Sequence, residues 1–197
     1  MSASVDGRTA RAVRTRDAIV DACISLVDEG DLRPTGPRIA ERANVSVRSV
    51  FQHFDDLENL FAMVGERAVA RVAQIVVTID PALPFDDRLD RCIRQRRDLL
   101  EAISPIRRAA SVHAPGSPEI TARLQAGHDF LRTEVATVFA TEIAAMPADQ
   151  RGVVLDMCDT ALSWPCWENL RTMNGRSPDE AAVVVGRMVR LALGRER

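Results

Sequence analysis

Lysine and tyrosine are absent from this chain of 197 residues, and aromatic residues make up only 4% of it. Every cationic side chain other than histidine is therefore arginine, whose planar guanidinium suits phosphate and carboxylate groups. The net charge is −2, from 26 basic and 28 acidic residues, so no overall positive charge predicts a nucleic-acid partner. Electrostatic contact with an anionic partner has to come from a local cluster of arginines.

Recognisable motifs of enzymes and metal sites are also missing. No glycine-rich phosphate loop, paired-carboxylate motif or nucleophile beside a base is visible, so little supports an all-helical enzyme. Neither the histidines nor the cysteines show metal-binding spacing, and the sequence predicts no cofactor and no metal. Apolar helical surroundings, typical of buried thiols, are found at Cys23, Cys92, Cys158 and Cys166.

Long apolar runs are lacking too. No stretch of about 18 apolar residues is present to span a membrane. The first 18 residues carry four arginines and two aspartates, without the apolar core of a signal peptide. The sequence therefore predicts a soluble, cytoplasmic protein with no membrane partner.

Helical periodicity is what the chain does have, from one end to the other. Apolar residues recur three and four positions apart in segments bounded by proline, glycine or a capping residue. These segments predict an all-α fold of about nine helices. The later ones are expected at about 57–79, 86–104 (stopped by Pro105), 106–113, 118–146, 148–173 and 178–193.

Residues 39–54, IAERANVSVRSVFQHF, predict two short helices joined by a tight turn. Ile39, Ala40 and Ala43 form an apolar stripe on the first helix. Asn44 tolerates the left-handed backbone at which a helix stops and turns. Ser46 is a strong N-cap for a second helix that begins at residue 47.

The second short helix has an apolar side and a polar side. Val50, Phe51 and Phe54 are expected to face inward, which leaves outward or flanking positions to Val47, Arg48, Ser49, Gln52 and His53. A preceding helix at 14–29 completes a small three-helix core. This arrangement is typical of a helix-turn-helix whose second helix enters the major groove of DNA, although an ordinary helical hairpin has the same pattern.

Arginines gather around this motif. Between residues 33 and 54 only Glu41 opposes four arginines, and further arginines precede the first helix. A local excess is enough for DNA, because each neutralised phosphate releases counterions. The arginines are Arg8, Arg11, Arg14, Arg16, Arg33, Arg38, Arg42 and Arg48.

The first helix and the segment IAERANVSVRSVFQHFDDLENLF at 39–61 resemble the N-terminal DNA-binding domain of the TetR family of bacterial transcriptional regulators. The resemblance covers roughly residues 12–62. It implies a DNA-binding domain at 1–56 with a basic N-terminal arm, then a helical domain at 57–197 that binds an effector and dimerises. The implied partners are a double-stranded DNA operator, a small-molecule effector and a second copy of the chain.

The reading helix departs from the family pattern. Where the family has Lys-Gly-Thr and then Leu-Tyr, this chain has Val47, Arg48, Ser49, Val50 and Phe51. Two usual phosphate contacts, from the lysine and the tyrosine hydroxyl, are thereby lost, and Arg48 is placed to replace one of them. The family's DNA-binding role is implied, but not its list of contacts.

Chemistry therefore assigns the contacts with DNA. Arg48 can donate to guanine or to phosphate, and both remain open; Gln52 can read adenine. Val47 can touch a thymine methyl group, and His53 either positions the DNA backbone or only caps the packing. The predicted DNA-binding residues are Thr35, Gly36, Ser46, Val47, Arg48, Ser49, Phe51, Gln52 and His53, with Thr35 and Gly36 beside a phosphate.

An effector pocket is expected where polar or aromatic side chains lie on inward faces of the later helices. Such a cavity suits a mainly hydrophobic ligand, whose binding would release DNA in a repressor. Ordinary core packing is the alternative for each of these residues. The candidates are His113, His128, Phe130, Met157, Trp164 and Trp167.

The last two predicted helices are apolar on two sides, which favours a homodimer because one domain can bury only one of them. A two-fold dimer should read a palindrome with half-sites about one helical turn, roughly 34 Å, or a longer multiple of it, apart. Burial of both faces within one chain is the alternative. The expected interface is Leu155, Leu162, Cys166, Ala182, Val185, Gly186, Val189 and Leu193.

A helical adaptor that has lost DNA binding is an alternative function, to which Val47 and Phe51 lend support.

Overall fold

The computed structural model describes residues 3–195, with side chains from Thr9 onward. All regular secondary structure in this range is helical, which confirms the predicted all-α class. A 3₁₀ turn at Ala114–Gly116 and a π-helical turn at Asn169–Met173 lie between α-helices. Ten α-helices fall within the described residues: α1 Ala3–Asp28, α2 Gly36–Arg42, α3 Val47–His53, α4 Leu57–Val72, α5 Phe85–His113, α6 Pro118–Val138, α7 Ala140–Ala145, α8 Arg151–Ala161, α9 Trp164–Glu168 and α10 Pro178–Ala192.

The chain folds into two compact units. The first unit comprises the chain up to Arg71 together with Pro105–Thr121, and the second comprises Val72–Ser104 and the chain from Ala122 onward. The first unit extends beyond residue 56 because Leu60, Val64 and Ile106 pack into its core. The functional boundary predicted at residue 56 stays a prediction.

Helix α1 is the platform of the first unit. Ile19, Cys23 and Leu26 lie on one side of α1 at helical spacing and are buried. Helix α2 adds Ile39 and Ala40 to this core, while Val50 and Phe54 come from α3 and the residue after it. The helix ends after residue 28, and Gly30 supplies the positive φ of 95° that turns the chain away.

Several helix ends differ from the sequence prediction. Helix α4 ends at Val72 rather than near residue 79. Pro105 lies inside α5 instead of stopping it, and the residues beyond it stay helical while Ile106 and Ala109 contribute buried surface. The predicted helix at 118–146 breaks at Phe139, and the one at 148–173 breaks at Ser163. Tertiary packing and local capping, rather than periodicity, set these ends.

Ser163 explains the second break. Its side chain accepts a hydrogen bond from the Cys166 backbone N–H and so caps α9. Pro165 occupies the first turn of α9, where a backbone N–H has no acceptor within the helix. The missing N–H of proline therefore costs no intrahelical hydrogen bond. Pro165 therefore lies at the start of a helix, and the longer helix predicted at 148–173 is divided before it.

A buried ion pair ties α5 to α7 within the second unit. The Arg88 and Glu142 side chains are only 4% and 3% exposed, with Arg88 Nη2 2.6 Å from Glu142 Oε1 and Nη1 3.0 Å from Oε2. Arg88 Nε also donates to the Leu83 carbonyl. Burial raises the pKa of Glu142, but the hydrogen bonds and charge of Arg88, a backbone hydrogen bond and the charge of Arg195 together hold that pKa below its ordinary value.

The cysteines are buried thiols, as the sequence predicts. Cys23, Cys92 and Cys158 are buried, and Cys166 is partly so. Burial raises the pKa of Cys23 and of Cys92 to about 12 and that of Cys158 to about 11. These three side chains are therefore neutral thiols at neutral pH, which are poor nucleophiles.

Among residues 3–195, no helix combines the length and the apolar character that a membrane span requires.

Candidate functional site

The turn between α2 and α3 has the predicted geometry. Asn44 adopts a φ of 54°, the left-handed region expected of it, and its N–H donates to the Glu41 carbonyl at 3.1 Å. The Val45 N–H donates to the Ala40 carbonyl at 2.9 Å. Both bonds satisfy carbonyls at the end of α2, so the chain reverses without leaving them unpaired.

Ser46 starts α3 as an N-cap. Its Oγ accepts from the Ser49 backbone N–H at 3.1 Å, which satisfies one of the free donors in the first turn. The N-cap role predicted for Ser46 is confirmed. Any contact of Ser46 with DNA has to share this oxygen with the cap.

Helix α3 presents its other side to solvent. Val50 and Phe54 are buried, whereas Arg48 and Gln52 are exposed and Ser49 is partly exposed. His53, also partly exposed, lies at the end of the same helix. The polar residues predicted for the outer or flanking surface are therefore found there.

The position of Phe51 differs from the sequence prediction. The sequence places it on the inner side, but its side chain is 47% exposed. Residues 50 and 54 point inward one turn apart, and residue 51 is rotated by about 100° from residue 50. Phe51 therefore lies on the face of Val47, which is 40% exposed and one turn earlier.

Gly36 makes room for Phe51. A Cβ atom added at Gly36 would lie 3.1 Å from Phe51 Cζ and 3.2 Å from Cε2. Such a contact is too close to form without movement of the ring. Gly36 is buried at the start of α2, so the far end of the Phe51 ring rests on the α2 backbone.

Two arginines of the motif are paired within the first unit. Arg42 donates from both terminal nitrogens to Glu29, at 2.6 and 2.7 Å, and Arg38 lies 2.6 Å from Asp31. Hydrogen bonding from Arg42 lowers the pKa of Glu29. The local positive charge is therefore smaller than the sequence suggests, because Glu29 and Asp31, which precede the arginine-rich segment, pair with it in the fold.

Other cations remain close to α3. Within the described part of the chain, Arg48 has no acidic side chain within ion-pair distance. The Arg16 guanidinium of α1 lies 5.1 Å from the centre of the Phe54 ring, beside the C-terminal end of α3.

Thr35 is exposed, and among the described residues its side chain makes no capping bond to α2.

The two tryptophans predicted for an effector pocket lie together in the second unit. The Trp167 indole N–H donates to Glu101 Oε1 at 2.7 Å, and the Trp164 N–H donates to Ser104 Oγ at 3.1 Å. Arg171 Nε also donates to Glu101 Oε1, at 2.8 Å. Sequence reasoning missed Glu101, Ser104 and Arg171, although the spacing of 101 and 104 on one face of α5 is a usable signal.

The other pocket candidates do not join this cluster. His113 belongs to the first unit, where its ring packs on Phe61 at 4.5 Å and its Nε2 lies 3.2 Å from the Leu32 carbonyl. His128 Nε2 lies 3.6 Å from Asp159 Oδ2.

The inward positions predicted for Phe130 and Met157 are wrong. Their side chains are 58% and 50% exposed. Both residues lie on the solvent sides of helices whose other positions fill the core.

Half of the predicted dimer face packs within one chain, and the rest of that face stays a prediction. Three of its residues are partly buried against the core of the second unit: Leu155 of α8, Cys166 of α9 and Ala182 of α10. A Cβ at Gly186 would meet Ile93 Cγ1 at 3.6 Å. A buried side chain has no surface left for a partner. The fully buried members are Leu162, Val185, Val189 and Leu193.

Comparison with known proteins identifies the fold. No protein-family model and no curated protein matches the sequence. Three similar solved structures are a transcriptional regulator from Rhodococcus sp. RHA1 (TM-score 0.64, 17% identity, 93% of this chain and 96% of that chain), a TetR transcription regulator from Haloarcula marismortui (0.63, 16%, 92% and 97%) and a putative TetR-family transcriptional regulator from Mesorhizobium loti (0.59, 20%, 93% and 97%). At these identities the likeness shows a shared TetR-like fold.

Because Gly36 and Phe51 lie so close, we predict that the effect of Gly36→Ala on the free energy of unfolding depends on the residue at position 51. In the wild-type background, Gly36→Ala should gain little or lose stability, because the new methyl group displaces the ring. In a Phe51→Ala background the same change should stabilise by up to about 1 kcal/mol, because alanine favours the helix more than glycine does. Urea unfolding of the four proteins measures both values, and equal effects in the two backgrounds would show that the contact carries no energy.

Proposed function

We propose that this protein is a TetR-like transcriptional regulator that binds double-stranded DNA through α3 as a homodimer. The exposed polar row of α3, Arg48 and Gln52 on a helix held by the Asn44 turn, is the observation that carries the proposal. A regulator of this kind performs no chemistry. Its work is to bind DNA, and to bind it less well when an effector is present.

Arg48 is placed to make the strongest contact. It lies in the first turn of α3, and residues near the start of a recognition helix are those that reach base edges. A guanidinium can donate two hydrogen bonds to guanine or one or two to phosphate. Gln52, one turn later on the same face, suits adenine.

The test of DNA binding uses the region upstream of the gene, where an inverted repeat is expected. Wild-type protein should shift this DNA in a salt-dependent gel assay. Arg48→Ala should weaken binding by about 5- to 150-fold if it reads a base. If Arg48 contacts only phosphate, the slope of binding against salt should fall by about one unit.

Arg94→Ala is the matched control for this assay, because Arg94 pairs with Asp90 on the exposed surface of α5. Its binding should equal that of the wild type. A simultaneous change of Arg48, Gln52 and His53 that leaves specific binding intact would sink the assignment of α3 as the reading helix. Absence of any specific DNA binding would instead favour the helical adaptor, with the exposed Phe51 as part of its docking surface.

An exposed apolar stripe supports the homodimer. It runs along α8 and α10, two helices that pack together in the second unit. Exposed apolar side chains one turn apart on neighbouring helices are a common basis of subunit contact. The stripe consists of Val153 and Met157 on α8 and Met188 and Leu191 on α10. A two-fold dimer through this stripe would present two copies of α3 to a palindromic operator.

Charged substitutions in the stripe should separate the subunits. The double variant Met157→Asp, Met188→Asp should sediment with the 21.7 kDa mass of one chain, whereas the wild type should show twice that mass. Met173→Asp is the matched control, since Met173 is exposed in the π-helical turn outside the stripe. A wild-type monomer at micromolar concentration, or a double variant that still dimerises, would contradict the proposed interface.

The tryptophan cluster supports an effector site in the second unit. Trp167, held by Glu101, is only 1% exposed and packs in the core, whereas Trp164, held by Ser104, is partly exposed and offers apolar surface beside a fixed polar atom, as sites for small aromatic ligands do. We propose a mainly hydrophobic ligand whose binding releases DNA, so that the protein acts as a repressor.

Tryptophan fluorescence provides the test, since Trp164 and Trp167 are the chain's two tryptophans. A ligand from a panel of small aromatic compounds should change the emission and, at the same concentrations, lower operator affinity. Wild-type protein and a Trp164→Phe variant should differ in the amplitude of this change. A ligand that saturates the fluorescence change while operator affinity stays constant would refute the proposed regulation.

A further inference from the structure

Helix α3 carries an apolar row beside its polar row. Val47 and Phe51 are four residues apart and both are largely exposed, at 40% and 47%. Four residues correspond to about one turn, so the two side chains lie on one face. Arg48 and Gln52 follow each of them by one position and form a parallel polar row. The surface proposed to meet DNA is therefore half apolar.

The Phe51 ring is supported from one side only. Its Cζ and Cε2 atoms lie so close to Gly36 that a Cβ there would be 3.1 to 3.2 Å away. The α2 backbone thus limits movement of the ring tip toward the protein. The rest of the ring stays open to solvent, which is the side on which a partner of α3 would lie.

We propose that Val47 and Phe51 are specificity-determining residues that read the 5-methyl groups of thymines in the operator; this inference rests on the proposed function. Thymine is the only base with a methyl group in the major groove, and apolar side chains recognise it there. Valine and phenylalanine can make no hydrogen bond to a base edge, so a methyl group is the chemical feature they can discriminate.

The spacing of the two side chains fits such a reading. Four residues of α-helix rise by about 6 Å. Successive bases on one strand are separated by about 3.4 Å along the axis. The two side chains therefore span one or two base steps, and each half-site should contain two sensitive thymines at that separation, next to the bases that Arg48 and Gln52 read.

Deoxyuridine substitution tests the proposal atom by atom. Deoxyuridine keeps every hydrogen-bonding group of thymidine and lacks only the methyl group. Each thymine of the operator half-site is replaced singly, and wild-type affinity is measured in the gel shift assay. We expect a loss of about fourfold at each of two positions one or two steps apart, and no change at the others.

Protein variants assign each methyl group to its side chain. Val47→Ala should abolish the sensitivity to deoxyuridine at one position, and Phe51→Ala at the other, because the methyl group then has no partner. Val69→Ala, a change at an exposed valine of α4, is the matched control and should keep both sensitivities. Circular dichroism checks that each variant retains its helices.

The possible outcomes separate this inference from the proposed function. If wild-type protein binds the operator specifically and no deoxyuridine substitution changes its affinity, methyl reading is overturned while the DNA-binding function stands. If two thymines are sensitive but Val47→Ala and Phe51→Ala leave both sensitivities unchanged, the assignment to these residues is overturned. If no specific DNA binding is found, the proposed function fails and this inference fails with it.

Discussion

The left-handed backbone of Asn44 is the constraint on which the rest of the first unit depends. A left-handed residue costs an ordinary L-amino acid about 1–2 kcal/mol, and asparagine is one of the residues that adopt it most readily. With Asn44 at φ 54°, the chain leaves α2 and enters α3 through only four connecting residues. Ile39 and Ala40 on one side of the turn, and Val50 on the other, can then pack in the same core as α1. The outward side of α3 follows from that choice.

Much of this arrangement can be predicted from sequence, because it depends on residues close to one another along the chain. The Asn44 turn, the Ser46 cap and the inward positions of Val50 and Phe54 are local properties of backbone conformation and helical spacing. What could not be predicted depends on distant partners. Glu29, in the turn after α1, pairs with Arg42 of α2, and the tip of the Phe51 ring lies against Gly36 of α2.

The second unit shows the same limit on a larger scale. Helix α10 is apolar on two sides, and periodicity alone cannot say which side meets the rest of the chain. Packing buries Val185 and Val189 and leaves Met188 and Leu191 exposed. Pro105 similarly lies within α5 because a proline costs one hydrogen bond, which the packing of a long helix can offset. In both cases the sequence pattern is present, but tertiary contacts decide which face of α10 is buried and whether α5 continues past its proline.

Ion pairs on α5 define how the second unit fits together. Arg88 meets Glu142 of α7, Arg96 meets Glu134 of α6, and a turn beyond α9 brings Arg171 to Glu101. Burial raises the pKa of Glu134 even though Arg96 lies beside it, which shows how costly this carboxylate is to keep charged. A buried pair such as Arg88–Glu142 adds little to net stability compared with apolar residues, but separating its partners would leave an uncompensated buried charge. Such pairs therefore fix which helix lies beside which.

The contact between Gly36 and Phe51 constrains how this surface can evolve. The two positions are far apart on the chain and belong to different helices, yet the size of one limits the placement of the other. A lineage that gained a larger residue at position 36 first would displace the ring from α2 toward the surface that is proposed to bind DNA. Loss of the ring first leaves position 36 free to vary. The contact between the two positions therefore favours one order of substitution over the other. A residue at position 36 can in this way permit or prevent changes in what α3 recognises, even if it does not touch the DNA itself.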